Sequence, residues 1–164
     1  MRLLTPLCAG LATFALALGY ASQSLWDGVG VAVALGLLWL AGDWRSWDGA
    51  ADACLAGWVG LAAFGAWQEL LAGWMLIGVV AALAAWDLGH FGVRLRSAGV
   101  LPPPAELTRA HLRQLAMVAA SGLLLGGIAL GLRFELTFGW ALLAAALAII
   151  GLSRLISAGG REQQ

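Results

Sequence analysis

Gln114–Leu132 reads QLAMVAASGLLLGGIALGL, nineteen residues without Asp, Glu, Lys or Arg. One charge at mid-bilayer costs roughly 2.5–3.5 kcal/mol on the insertion scale, and about 20 apolar residues in a helix cross the hydrocarbon. This stretch satisfies both conditions by itself. Working outward, charge-free runs also cover 3–26, 28–42, 53–68, 70–86 and 136–153. The run 3–26 is long enough alone. The other four hold 15 to 18 residues and span only with their flanking groups in the headgroup region. Indoles are suited to that region, and Trp26, Trp39, Trp44, Trp47, Trp67, Trp74, Trp86 and Trp140 all lie close to run ends. Trp58 alone falls well inside one.

The spacing predicts six transmembrane helices, at about 3–23, 26–42, 50–66, 70–91, 105–132 and 138–156, in one compact all-α bundle. Leu35–Trp39, Leu76–Ala85 and Leu142–Ile150 are apolar on every side, which excludes the alternating segments of a membrane barrel. With no water to pair backbone groups, such runs must be helical. The first run is expected to be a retained helix, since it exceeds the usual apolar length of a signal peptide.

Composition agrees. Of 164 residues 62% are hydrophobic and 11% charged, glycine adds 23 more, and mean hydropathy is +0.88. A soluble domain carries roughly 25% charged residues. Water-soluble folds, disordered tails and nucleic-acid binding are therefore excluded. Nine arginines balance nine carboxylates, and lysine is absent. A lysine-free chain rich in Ala, Gly and Leu points to a GC-rich prokaryotic genome, hence to a prokaryotic cytoplasmic membrane. Cys8 and Cys54 are single and far apart, and form no disulfide framework.

Orientation follows from the loops. With six spans and the N-terminus in the cytoplasm, Arg2, Arg45, Arg94, Arg96, Arg109, Arg113, Arg154 and Arg161 fall inside and only Arg133 falls outside. That asymmetry obeys the positive-inside rule, and it puts both termini in the cytoplasm. Residues 92–104 form the expected cytoplasmic loop, stiffened by Pro102, Pro103 and Pro104. Pro104 can open the next helix, with Glu106 favoured in its first turn. A repeat relating residues 1–67 to 68–164 finds no support beyond the span count.

Glycines mark packing. Gly122/Gly126 and Gly127/Gly131 are two small pairs, four residues apart, on different sides of the fifth helix. Close backbone approach drives helix association in lipid, so the fifth helix is expected to be central, with neighbours on both sides. Ala56, Gly57 and Gly60 suggest a similar face on the third.

Chemistry is scarce. No ionisable side chain sits near the middle of a span, where proton relays and ion-coupled pumps place them. Polar groups gather instead at the cytoplasmic loops. Asp43, Arg45, Asp48 and Asp52 carry net −2, three carboxylates against one arginine. Asp87, His90, Arg94, Arg96, Glu106, Arg109, His111 and Arg113 carry net +2, four arginines against two carboxylates. Electrostatic pairing between these two loops is the leading expectation. Asp87, His90 and His111 are the weak polar-site candidates, by chemistry a three-ligand metal set. Arg94, Arg96, Arg109 and Arg113 are candidates for anionic lipid headgroups, at about 1 kcal/mol each near the surface, or for contact with a partner. No cofactor and no catalytic residue is expected. The functional expectation is an accessory or assembly subunit of a membrane complex, acting beside other membrane proteins. The alternative is a small transporter, or its substrate-binding membrane component, for an apolar or amphipathic compound held near Trp58, Trp74 and Trp140. A headgroup-modifying enzyme working through Asp87 and His90 is a third.

Overall fold

The computed structural model describes residues 4–45, 47, 49–97 and 105–131. Among them the chain is all-helical, in the order α1 (Leu4–Ala21), α2 (Trp26–Arg45), α3 (Ala50–Trp67), α4 (Ala72–Ser97) and α5 (Ala105–Gly131). Each is long and apolar enough to cross a membrane. At about 1.5 Å per residue, the 18 residues of α1 or α3 reach about 27 Å, close to the roughly 30 Å hydrocarbon core. The 26 residues of α4 and the 27 of α5 overrun it. The expected sixth helix, 138–156, lies outside the described residues, as do Pro102–Pro104, Asp48 and Trp140.

α1 to α4 close a ring in chain order, each packing on the next and α4 returning against α1. The close approaches show α1 and α4 antiparallel. Thr5 lies beside Gly89, Leu16 beside Gly78 and Met75 beside Gly19. Small residues make this proximity possible. Ala9, Ala12, Ala15, Ala32, Ala62, Ala81, Ala82 and Ala85 are all buried, and packing of this kind is the main adhesive between helices in lipid. Leu16, Tyr20, Trp39, Trp58 and Met75 fill the space between them.

The turns α1–α2 and α3–α4 are alike. Leu25 N–H donates to the Tyr20 carbonyl (3.1 Å) and Leu70 N–H to that of Gly65 (3.0 Å). In each, the preceding residue adopts a left-handed conformation, Ser24 at φ 60 and Glu69 at φ 56. This is the Schellman closure of a helix, made here without the usual glycine. The buried residues of α2 are Ala32, Gly36, Trp39 and Gly42, and those of α4 include Gly78, Ala82, Ala85 and Leu88, in each case the spacing of one helical face turned to its neighbours.

Two expectations need correction. The fourth helix does not stop near residue 91; it continues to Ser97, so 92–97 is helix and not loop. Gly92 alone does not break it, the Ser97 hydroxyl donates to the Val93 carbonyl (3.1 Å), and Arg94 and Arg96 occupy the last turn, where cations complement the helix dipole. The fifth helix, expected between neighbours, packs among the described residues on α4 alone and contributes no buried residue. α4 joins it to the rest, packing also on α1 and α3. Of the glycines, Gly126 is held close, since a Cβ there would lie 2.7 Å from Leu76 Cδ1. Gly122 sits more loosely beside Val80, and Gly127 and Gly131 face open space within the described residues.

Candidate functional site

Antiparallel packing gathers the C-terminal ends of α2 and α4 with the N-terminal ends of α1, α3 and α5. All five arginines of the described residues, Arg45, Arg94, Arg96, Arg109 and Arg113, lie at this end. Trp44 (90% exposed) and Trp47 ring it, while Trp26 and Trp67 (79%) ring the opposite end. Two exposed indole belts are what an apolar slab between aqueous phases favours. Trp39, expected in a belt, turns inward and stacks on Trp58 with ring centroids 5.3 Å apart.

The densest polar chemistry sits at the arginine end, strung across α3, α4 and α5. Asp52 falls in the first turn of α3, where the helix dipole favours a carboxylate. Gly49 starts that helix in a left-handed conformation, φ 89, which glycine adopts without a Cβ penalty. Asp52 Oδ1 accepts a hydrogen bond from Trp86 Nε1 at 2.6 Å. His90, one turn further along α4, tilts over the Trp86 ring at 4.3 Å. Its Nδ1 donates to the Trp86 carbonyl at 3.1 Å, and its Nε2 lies 3.6 Å from Asp52 Oδ1.

Asp87 faces the other way, toward α5. His111 Nε2 lies 2.9 Å from Asp87 Oδ2. Despite this approach the buried Nε2 makes no hydrogen bond, so the geometry of one is not met. The His111 ring lies flat on Phe91, with centroids 3.9 Å apart and planes within 6°. Thr108, one turn earlier on α5, has a buried hydroxyl without a partner.

Asp87, His90 and His111 therefore form two separate pairs instead of one ligand set. Among the described residues no three His, Cys, Asp or Glu side chains are arranged to hold a metal ion. The expected pairing of the two loops takes an unexpected form. Asp52 is engaged by an indole and an imidazole, and Asp87 by an imidazole, while no arginine pairs with a carboxylate among the described residues. Nor do the four arginines converge. At about 100° per residue, Arg109 and Arg113 point away from the His111 face of α5, whereas Arg94, seven residues after Asp87, shares the face of α4 that meets α5. Arg96 folds back over Gly92, with a guanidinium nitrogen 3.9 Å from where a Cβ would stand.

Nothing in the sequence pairs Asp52 with Trp86: by position the acid belongs to its loop and the indole to its belt, and only the crossing of α3 and α4 brings them together. The middle of the bundle holds further polar groups, among them the Thr13 hydroxyl, buried without a partner beside Gly36. Trp58 is fully buried and its Nε1 has no acceptor, while the Cys54 thiol one turn away donates to the Leu35 carbonyl at 3.7 Å. At the opposite end, an open depression of about 380 Å³ lies between the two matched turns, lined by Gln23, Leu25, Gln68, Glu69 and Leu70. No protein-family model, curated protein or solved structure matches this chain.

Proposed function

We propose that this chain is a six-span integral membrane protein of a prokaryotic cytoplasmic membrane, with both termini in the cytoplasm, serving without catalysis as an accessory or assembly subunit of a membrane complex. One observation carries the reading: α5 runs 27 residues, and none is buried among the described residues. Met117, Val118, Leu124, Leu125 and Ile128 are all half exposed or more. A face so apolar, beside Gly127 and Gly131 with open space before them within the described residues, suits the close approach of another membrane helix. The arginines at one end support the orientation through the positive-inside rule, and Arg94, Arg96, Arg109 and Arg113 are then available to anionic headgroups or to a partner.

Purification from native membranes in mild detergent tests the reading. It predicts stoichiometric co-purification with a second integral membrane protein, reduced by Gly127→Leu. Recovery of the chain only as a monomer contradicts it. The transporter alternative draws on Trp58, whose buried indole N–H would be satisfied by an oxygen of a bound solute. Uptake into proteoliposomes that is lost in Trp58→Phe would favour that alternative.

A further inference from the structure

The end of the bundle opposite the arginines has a chemistry of its own. Among the described residues its charged groups are Asp27, in the first turn of α2, and Glu69, in the α3–α4 turn, and neither arginine nor histidine lies there. The depression of about 380 Å³ opens at this end, and its lining is paired. Gln23 and Leu25 come from the α1–α2 turn, and Gln68 and Leu70 hold the corresponding places in the α3–α4 turn. Between them stands the left-handed residue, Ser24 in one turn and Glu69 in the other. One carboxylate therefore sits among two matched amides. Glycine closes such a turn at less cost, and a side chain retained in a costly conformation points to a use for it. Beneath the turns the Tyr20 hydroxyl donates to the Leu61 carbonyl at 2.6 Å, tying α1 directly to α3. Leu70 is buried although it belongs to a turn. The two walls are thus held at a set separation by the bundle itself.

We infer that this depression binds a primary alkylammonium group, with the Glu69 carboxylate as counter-ion and the Gln23 and Gln68 amide oxygens as further acceptors. A protonated primary amine has three N–H donors and no acceptor. The three polar side chains of the lining offer it one acceptor oxygen each or more, and Leu25 and Leu70 offer its alkyl chain an apolar wall. Other ligands fit less well. A quaternary ammonium brings the charge without the donors. A hard divalent cation takes about six to eight oxygens, several of them charged, and the lining holds a single carboxylate. An anion would meet that carboxylate with no cation beside it. Pockets for small organic ligands measure about 300–1,000 Å³, a range that includes this one. The ammonium belongs either to a free amine in the aqueous phase or to a phosphatidylethanolamine headgroup at the bilayer surface.

The full-length chain in phosphatidylcholine nanodiscs, titrated with n-butylammonium and followed by saturation-transfer NMR against empty nanodiscs, tests the site. Because the ion pair is exposed, saturable binding is expected with a Kd on the order of 1–10 mM. Tetramethylammonium should bind about fivefold more weakly or worse, having no N–H to donate. Glu69→Gln should weaken n-butylammonium binding about tenfold. Combined Gln23→Leu and Gln68→Leu keeps the charge and should cost about fivefold, and it serves alone if Glu69→Gln fails to fold. Asp27→Asn removes the same charge from the same end outside the lining, and should leave binding unchanged. Phosphatidylethanolamine nanodiscs then separate the two sources: weaker n-butylammonium binding there assigns the site to the headgroup, and equal binding to a free amine. Absence of saturable binding in phosphatidylcholine, or equal binding of tetramethylammonium, overturns the inference. So does binding that survives both sets of lining substitutions, or that falls as far in Asp27→Asn as in Glu69→Gln.

Discussion

Trp58 sits at the centre of the described bundle with its ring on Trp39 and its N–H unpaired. Leaving a buried donor unsatisfied costs about 1–3 kcal/mol, which the packing of the ring offsets. Trp58→Phe trades lost packing against removal of that donor and should change stability by less than about 1.5 kcal/mol, whereas Trp58→Ala should cost about 3–5 kcal/mol. Thermal unfolding in detergent, followed by circular dichroism, distinguishes the two. Ser24 and Glu69 present the opposite case, since each places a side chain in a left-handed turn position. A non-glycine residue there gives up about 1–2 kcal/mol, and glycine recovers part of it at some entropic cost. Ser24→Gly is expected to raise the unfolding temperature, and Ala at the same position to leave it unchanged. Neither feature was legible in the sequence. A tryptophan within an apolar run announces burial but not its neighbour, and serine in a short polar turn carries no sign of φ.

At the scale of the helix, most of the fold was legible. Charge-free runs located all five described helices, because lipid leaves a backbone no other way to pair its polar groups. Their ends were less accurate, for reasons that differ from helix to helix. α2 extends to Arg45 and α4 to Ser97 because arginines in a last turn stabilise the helix that a hydropathy count had already ended. The role of the glycines in α5 was half legible. Spacing showed that Gly122, Gly126, Gly127 and Gly131 form two faces, but not which face meets a helix. Gly126→Leu should therefore push α5 off Leu76, at a cost of about 1–3 kcal/mol for overpacking. Gly131→Leu, with open space in front of it within the described residues, should be nearly neutral. Paired thermal-shift measurements on the two variants check the contrast.

At the scale of the molecule, the polar groups of the described residues sort by end. Arg45, Arg94, Arg96, Arg109 and Arg113, both histidines, Asp52 and Asp87 are at one end, and Gln23, Gln68 and Glu69 at the other, with exposed indoles at each. The sequence showed the sorting through the arginines, yet not the pairing within it. Asp87, His90 and His111 were visible as a cluster. Their division into two inter-helix contacts depends on α4 lying between α3 and α5, which no local pattern reports.

The central claim is a chain that crosses a bilayer with its arginine-bearing end on the cytoplasmic side. Single cysteines at Ser97 and at Gln68, in the chain with Cys8→Ser and Cys54→Ser, probe the two ends with a membrane-impermeant maleimide on intact cells. Gln68→Cys should react at once and Ser97→Cys only after permeabilisation. Labelling of Ser97→Cys from outside intact cells, or equal labelling of both, would contradict the account.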